Sequence, residues 1–206
     1  MTKKKYNPKD RFFLQAKQEG FRARSAYKLQ EIDDRFHLFR KGMSVLDLGA
    51  APGGWLQILF QKVGPQGKVV GIDLQPIQGM GPTVRTAVLD IYAEDLKERL
   101  AEMHEGRFDA ITSDMAPKTT GIKMTDEARS IALAEHALVL CSTLLAPGGS
   151  FVAKVFEGRG IDVYVRAVKR AFKQVKLIRP EATRDRSMEI FVVAQGFRAA
   201  EEDPAA

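Results

Sequence analysis

Short apolar runs alternate with longer segments of helical periodicity along most of the chain. Apolar and β-branched runs predict seven strands, near residues 44–48, 68–73, 86–89, 109–114, 149–155, 175–179 and 190–195. Apolar residues that recur every three or four positions predict helices between them, near residues 25–37, 54–63, 92–104, 126–145 and 161–173. Ser25 is the expected N-cap of the first helix. This alternation is typical of an α/β protein with a largely parallel sheet.

The connection between the last two predicted strands sets their direction. It is the polar loop 180–188, which is too short to hold a crossover helix between parallel neighbours. We therefore expect a seven-stranded, mostly parallel sheet in which the last strand runs antiparallel.

The first predicted strand ends in a glycine-rich turn, which reads Asp47-Leu48-Gly49-Ala50-Ala51-Pro52-Gly53-Gly54-Trp55. A strand that ends in this way leaves backbone N–H groups free at the start of the next helix, where a nucleotide-like ligand can approach closely. The glycine spacing differs from the G-x-G-x-x-G that seats a dinucleotide pyrophosphate. A carboxylate at Asp47 would repel phosphate but attract the amino-acid end of S-adenosylmethionine. The alternative is a plain strand-to-helix turn with packing glycines.

Two further predicted strands also end in an acid. Asp73 follows the second strand, where nucleotide-binding α/β folds place the carboxylate that binds ribose hydroxyls. Asp90 follows the third strand, and its carboxylate could accept a hydrogen bond from the adenine amine. Each acid alone could instead cap a helix. Their recurrence at successive strand ends favours an adenosine-type cofactor.

Two charged residues at predicted strand ends remain as candidates for chemistry. Asp114 ends the fourth strand, and Lys154 lies within the apolar fifth strand. A lysine in a buried strand is costly unless it is paired or used. An amine whose pKa is depressed can take part in proton transfer near neutral pH. The alternative is a side chain that extends from the strand end to solvent.

The chain resembles the FtsJ-like RNA 2′-O-ribose methyltransferases. Lys28, Asp114, Lys154 and Glu189 match, in order, the Lys-Asp-Lys-Glu tetrad of that family. The match continues through the glycine-rich turn and residues 145–151, and it covers nearly the whole chain. The resemblance implies a Rossmann-like S-adenosylmethionine-dependent methyltransferase fold.

The resemblance also implies roles for individual residues. Lys154 would help the ribose hydroxyl lose its proton, either as a base or as a positioning cation, and Lys28 and Glu189 would tune it. Asp114 would stand between the cofactor and Lys154. The cofactor residues expected from the turn and from the family pattern are Asp47, Gly49, Gly53, Trp55, Asp73, Asp90 and Asp114.

Charge is distributed unevenly along the chain. Residues 1–41 hold 12 Lys or Arg against 5 Asp or Glu, whereas residues 42–206 hold 20 against 21. A second basic cluster follows near the end of the chain, at Arg166, Lys169, Arg170, Lys173, Lys176, Arg179, Arg184 and Arg186. Such clusters are typical of proteins that bind a phosphate backbone, although the second could be a solvated helix face.

We expect three parts: a basic RNA-binding arm and helix (1–41), a methyltransferase domain (42–198) and a flexible tail (199–206). Cys141 is the single cysteine, so no disulfide framework is possible. The histidines His37, His104 and His136 lack a ligand spacing, so no metal site is predicted. No membrane segment or secretory signal is evident, which favours a cytoplasmic protein. No obligatory protein partner is evident from the sequence.

Within the family, the compact domain and basic arm resemble the bacterial members that act on the ribosome. That resemblance implies methylation of a uridine ribose in the A-loop of 23S rRNA, on an assembled large subunit. Two alternatives remain open from the residues. One is the same chemistry on tRNA or an mRNA cap, and the other is a ribosome-assembly factor that binds RNA and cofactor without turnover.

Overall fold

The computed structural model of the protein describes residues 11–184 and 186–199. The strands in these ranges are β1 (Ser44–Leu48), β2 (Lys68–Asp73), β3 (Val84–Val88), β4 (Phe108–Ser113), β5 (Leu145–Phe156), β6 (Phe172–Ile178) and β7 (Glu189–Phe197). The helices are α1 (Arg11–Gln18), α2 (Ala26–Phe36), α3 (Gly54–Val63), α4 (Leu96–Met103), α5 (Lys123–Leu144) and α6 (Ile161–Ala171).

All seven strands form one sheet in the order β3-β2-β1-β4-β5-β7-β6. The first five strands of this order pair in parallel, and β7 runs antiparallel to both β5 and β6. The expected seven-stranded sheet with an antiparallel last strand is therefore confirmed. Strand order reverses between β1 and β4, which is where ligands bind in sheets of this type.

Several element boundaries differ from the sequence expectation. Helix α1 was not expected. Strand β6 begins at Phe172 instead of near residue 175, and α4 begins at Leu96 instead of near residue 92. Residues 89–95 turn instead of extending the helix, since the Asp90 carboxylate accepts the backbone N–H of Tyr92. Ser25 is the N-cap residue of α2, as expected, although its side chain makes no capping hydrogen bond.

Apolar side chains cover both faces of the sheet. Helices α4, α5 and α6 pack against one face, and α2 and α3 pack against the other. Leu29 and Ile32 of α2 are fully buried, so a helix from the expected RNA-binding arm is also part of the core. Residues 1–10, which include four lysines of the basic arm, and tail residues 200–206 lie outside the described ranges. Within those ranges, no helix has the length and apolar character needed to cross a membrane.

Candidate active site

Lys154 forms an ion pair with Asp114 at the carboxyl end of β4 and β5. The distance from Lys154 Nζ to Asp114 Oδ1 is 2.9 Å, and Nζ also donates to the Asp114 backbone carbonyl at 2.7 Å. Lys154 is only 7% exposed. The expected buried lysine is therefore paired, and one of its three N–H donors is hydrogen-bonded, to the Asp114 carbonyl. Asp114 Oδ1 lies within ion-pair distance but has no hydrogen-bond partner among the described residues.

Lys28 and Glu189 form a second ion pair across the site. Lys28 projects from α2, and its Nζ lies 2.5 Å from Oε2 of Glu189, the first residue of β7. Burial opposes ionisation of Glu189, but Lys28 and then Lys154 outweigh it and hold the pKa of Glu189 below its ordinary value. The influence of both lysines on this carboxylate shows that the four residues of the expected tetrad lie together.

The alternation of side chains along the strands explains this meeting. Lys154 pairs in register with Phe191, and Phe156 pairs with Glu189, so Lys154 and Glu189 lie on one face of the sheet. That face is the one covered by α2, which carries Lys28. The tetrad contains two ammonium groups and two carboxylates and is balanced in charge.

The glycine-rich turn follows β1 beside the tetrad. Gly49 has φ +74°, and a Cβ there would lie 2.6 Å from Met115 Cγ, so the turn and the segment after Asp114 pass each other closely. Gly53 has φ +109° and precedes α3, whose first internal hydrogen bond runs from Gln57 N–H to Gly53 O. Backbone N–H groups of the first turn of α3 therefore face the site without a helical acceptor.

Asp47 is a buried carboxyl group with one unused oxygen. Thr112 Oγ1 donates to Asp47 Oδ1 at 2.7 Å, whereas Oδ2 has no hydrogen-bond partner among the described residues. Burial raises the pKa of Asp47 well above its ordinary value, and the nearby carboxylates of Asp114 and Asp73 add to the rise, against the opposing effect of Thr112. Three acids therefore converge where strand order reverses, which favours a cationic ligand.

Asp73 and Asp90 follow β2 and β3 at the same edge of the sheet. Asp73 Oδ2 accepts the Ala51 N–H of the turn at 3.0 Å, and Oδ1 accepts the Gln75 N–H at 2.8 Å. The backbone N–H of Leu89 donates to Asp73 O, which brings the exposed Asp90 beside it. Each carboxylate oxygen keeps a further lone pair for a ligand hydroxyl or amine.

The side chain of Trp55 belongs to the core. It is 2% exposed, its Nε1 donates to the Ser25 carbonyl at 2.8 Å, and its ring lies 5.8 Å from that of Phe191. Its indole thus joins α2, α3 and β7. The expected cofactor contact of Trp55 stays a prediction that concerns its backbone N–H in the first turn of α3.

Arg22 is a site residue that the sequence reasoning missed. Its guanidinium donates to Gln78 O at 2.6 Å, to Gly79 O at 3.1 Å and to Pro52 O at 3.4 Å. It therefore ties the segment before α2 to the glycine-rich turn and to the loop after Asp73. Nothing in the local sequence marks Arg22, because its acceptors are backbone carbonyls distant along the chain.

A cleft with a basic rim opens beside Lys28 and Glu189. Arg24, Arg184 and Arg186 line it. Burial, and then the neighbouring Arg184, lower the pKa of Arg24, so the two guanidinium groups are held close in spite of their repulsion. An anion in the cleft would relieve that repulsion. The described residues contain no cluster of three or more His, Cys, Asp or Glu able to hold a metal ion.

The fold and this site define a class of protein, an α/β methyltransferase with its ligand site at the carboxyl ends of the parallel strands. Residues 21–197 match the model of the FtsJ-like methyltransferase family, and the chain belongs to that family. The expected family, fold and methyltransferase activity are confirmed, and membership implies S-adenosylmethionine as the methyl donor.

Curated relatives extend over nearly the whole chain. A Myxococcus xanthus protein named "Ribosomal RNA large subunit methyltransferase E" is 54% identical over 96% of this chain and 93% of its own length. A protein of the same name from Syntrophobacter fumaroxidans is 45% identical over 94% of this chain and 98% of its own length.

Solved structures agree with the fold. A ribosomal RNA methyltransferase from Plasmodium falciparum, described in its title as putative, superposes with a TM-score of 0.78 at 25% identity and covers 87% of this chain and 100% of its own. Human methyltransferase-like protein 13, solved in complex with SAH, has a TM-score of 0.57 at 16% identity and covers 87% of this chain and 85% of its own. The second similarity concerns the fold alone.

The buried Asp47 generates a prediction about stability and pH. Because its folded-state pKa is raised, Asp47 destabilises the fold as the pH rises from its ordinary pKa of 3.8 through the folded value. Asp47→Asn keeps an acceptor for Thr112 without that penalty. We expect its Tm without ligand to exceed that of the wild type by on the order of a few degrees at pH 7.5, and the difference to shrink towards pH 4.

Thermal unfolding at both pH values measures this effect. Asp90→Asn is the matched control, because Asp90 is exposed and either side chain can accept the Tyr92 N–H. A variant at Asp47 that is less stable than the wild type at pH 7.5 would contradict the prediction.

Proposed function

We propose that this protein transfers a methyl group from S-adenosylmethionine to the 2′-oxygen of a uridine ribose in the A-loop of 23S rRNA. The observation that carries the proposal is the set of two ion pairs, Lys28–Glu189 and Lys154–Asp114, beside two further acids, Asp47 and Asp73. The names of the relatives support a large-subunit rRNA substrate over tRNA or an mRNA cap. We place the reaction in the cytoplasm.

The residues around the turn fit S-adenosylmethionine. The unused Oδ2 of Asp47 can accept a hydrogen bond from the ammonium group of the ligand. Asp73 can accept hydrogen bonds from the ribose hydroxyls, and Asp90 can accept one from the adenine amine. Gly49 and Gly53 have positive φ, and their missing Cβ atoms let Met115 and Arg22 pack against the turn, which shapes its backbone for the ligand. The backbone N–H of Trp55, in the first turn of α3, is the expected donor to the ligand. When bound, the cofactor supplies an electrophilic methyl group on a sulfonium, whose positive charge suits Asp114.

The tetrad would prepare the ribose hydroxyl for an in-line displacement. Lys154 is held by its hydrogen bond to the Asp114 carbonyl and by the ion pair with the Asp114 carboxylate, and a free N–H donor can hold the 2′-oxygen in line with the methyl carbon. If Lys154 loses a proton, its lone pair can accept the hydroxyl proton. The ion pair of Lys28 with Glu189 has no net charge and gives the nucleotide a polar wall.

The basic rim would hold the RNA backbone. Arg24, Arg184 and Arg186 border the cleft that leads to Lys28 and Glu189, so phosphates beside the target ribose can bind there. We propose that residues 1–41 form an RNA-binding arm, with 42–198 as the methyltransferase domain and 199–206 as a tail. No protein partner is required by this arrangement.

The proposal is tested by transfer of label. Purified protein is incubated with tritiated S-adenosylmethionine and, separately, with undermethylated large subunits, free large-subunit rRNA and bulk tRNA, and the label is mapped by nuclease digestion. We expect label on the 2′-oxygen of one uridine of the large subunit. Label on tRNA alone would show that the enzyme acts on tRNA and not on the large subunit. Cofactor binding without any label would contradict methyl transfer to these RNAs and favour an assembly factor.

Substitution of Lys154 tests its role in the reaction. We expect Lys154→Ala to lower the methylation rate by roughly 10²–10⁴-fold, because the ribose hydroxyl loses its positioning and proton-accepting partner. Lys154→Arg separates the two roles, since a guanidinium donates hydrogen bonds but does not accept a proton at neutral pH. Single-turnover methylation of large subunits is the measurement.

Lys68→Ala is the control for a lost lysine, because Lys68 is exposed at the start of β2, at the opposite end of the parallel strands. Equal rates for Lys154→Ala and the wild type would refute a catalytic role. Co-sedimentation with large subunits and a melting curve show whether the variants still bind RNA and fold.

Arg22 generates a separate prediction about the cofactor. We expect Arg22→Ala to raise the KM for S-adenosylmethionine roughly tenfold and to change kcat little, because the turn and the loop after Asp73 lose their shared charged donor. Arg85→Ala is the matched control. Arg85 also donates to two carbonyls, Glu102 O and Met103 O, but far from the site. An equal effect of both substitutions on this KM would contradict the role of Arg22.

A further inference from the structure

The outer edge of the sheet carries a set of cations that the active site does not use. Five exposed residues on α6 and β6 form what we call the basic edge, namely Arg166, Lys169, Arg170, Lys173 and Lys176. None of the five forms an ion pair with a described residue. Lys169, Lys173 and Lys176 meet around one shallow surface groove whose other lining residues, Phe172, Gln174 and Val175, are uncharged.

The opposite edge of the same sheet provides an internal comparison. Residues 159–179, which contain α6 and β6, hold seven Lys or Arg and one Asp. Residues 84–105, which contain edge strand β3 and α4, hold three Lys or Arg and six Asp or Glu. A simpler explanation for lysines on an edge strand is that they prevent pairing with other sheets. Since β3 is also an edge strand and carries a single cation, Arg85, that need alone does not account for the basic edge.

The register of the strands gives the position of the basic edge relative to the active site. Ile178 pairs with Phe191, which pairs with Lys154, so these residues form one row across three adjacent strands. Lys176 lies two residues before Ile178, about 7 Å along β6 from that row, and Lys173 lies five residues before it, about 17 Å away. The row itself spans about 10 Å across the three strands. A nucleotide held at Lys154 therefore does not reach Lys173.

We propose that the basic edge binds the phosphate backbone of a second segment of large-subunit rRNA, separate from the target nucleotide. This inference rests on the proposed function for the identity of the RNA. Cations without ion-pair partners surround a groove that has no carboxylates, and this arrangement favours a polyanionic ligand. Because β6 is an edge strand, backbone N–H groups on its outer side can also donate hydrogen bonds to phosphate oxygens. The edge would thus select the assembled subunit by its shape and charge.

Charge removal tests the proposal. The variant Lys169→Gln/Lys173→Gln/Lys176→Gln is compared with Lys68→Gln/Lys97→Gln/Arg99→Gln, which removes the same charge from exposed positions near the other edge. Binding to large subunits is measured by co-sedimentation over a range of salt. We expect the first variant to bind roughly tenfold more weakly at physiological salt, with a log–log salt slope smaller by about two to three. Its KM for S-adenosylmethionine and its kcat should match the wild type.

Equal affinity losses in both variants, or no loss in either, would overturn the proposal. These outcomes are independent of turnover, because binding is measured directly. A wild-type protein that binds subunits but does not methylate them would instead refute the proposed function.

A tethered probe locates the RNA segment. Cys141 is the single cysteine of the sequence and is fully buried. Lys173→Cys therefore adds one accessible thiol, to which an iron–EDTA reagent can be attached. On the large subunit we expect hydroxyl-radical cleavage in an rRNA segment other than the A-loop. Cleavage confined to the A-loop, or none, would overturn the assignment of a second segment.

Discussion

Two ammonium groups and two carboxylates share one buried corner of this molecule, and their charge balance is the constraint on which the site depends. Lys28 and Lys154 are each 7% exposed, and each is paired with one carboxylate. Removing one member of a buried pair typically costs about 3–5 kcal/mol, because an uncompensated charge remains. The pairs join α2 to β7 and β4 to β5, so the corner closes only when the beginning and the end of the chain fold together.

The antiparallel direction of β7 makes this pairing possible. Glu189 is the first residue of β7, and it lies at the carboxyl edge of the parallel strands because β7 runs against β5. In a parallel β7 the same residue would lie at the other edge, about 30 Å away over nine residues. The short loop 180–188 enforces the antiparallel direction and also places Arg184 and Arg186 at the mouth of the cleft. One topological feature therefore supplies both a tetrad residue and part of the basic rim.

The sequence allowed the strands and their acidic ends to be predicted, because side-chain alternation and strand-end position are local properties. The tetrad as a set, with Lys28 and Glu189, came instead from the resemblance to the FtsJ-like family. Asp47, Asp73 and Asp114 were expected at one edge, and the structure places them there. The contacts of Arg22 and the burial of Trp55 were not predictable, since both depend on backbone carbonyls and rings brought near by packing. A helix boundary also shifted where a side chain accepts a backbone N–H two residues on, as Asp90 does from Tyr92.

The short segment 22–28 connects the parts of the site. Arg22 bonds the glycine-rich turn and the loop after Asp73, Arg24 bonds the Ala182 carbonyl near the cleft, and Lys28 completes the tetrad. The Trp55 indole fixes the middle of this segment by donating to the carbonyl of Ser25. Because these contacts share one backbone, a shift at Arg22 is transmitted directly to Arg24 and Lys28. Any coupling through this segment between the binding free energies of a ligand at the turn and a ligand at the rim would be reciprocal.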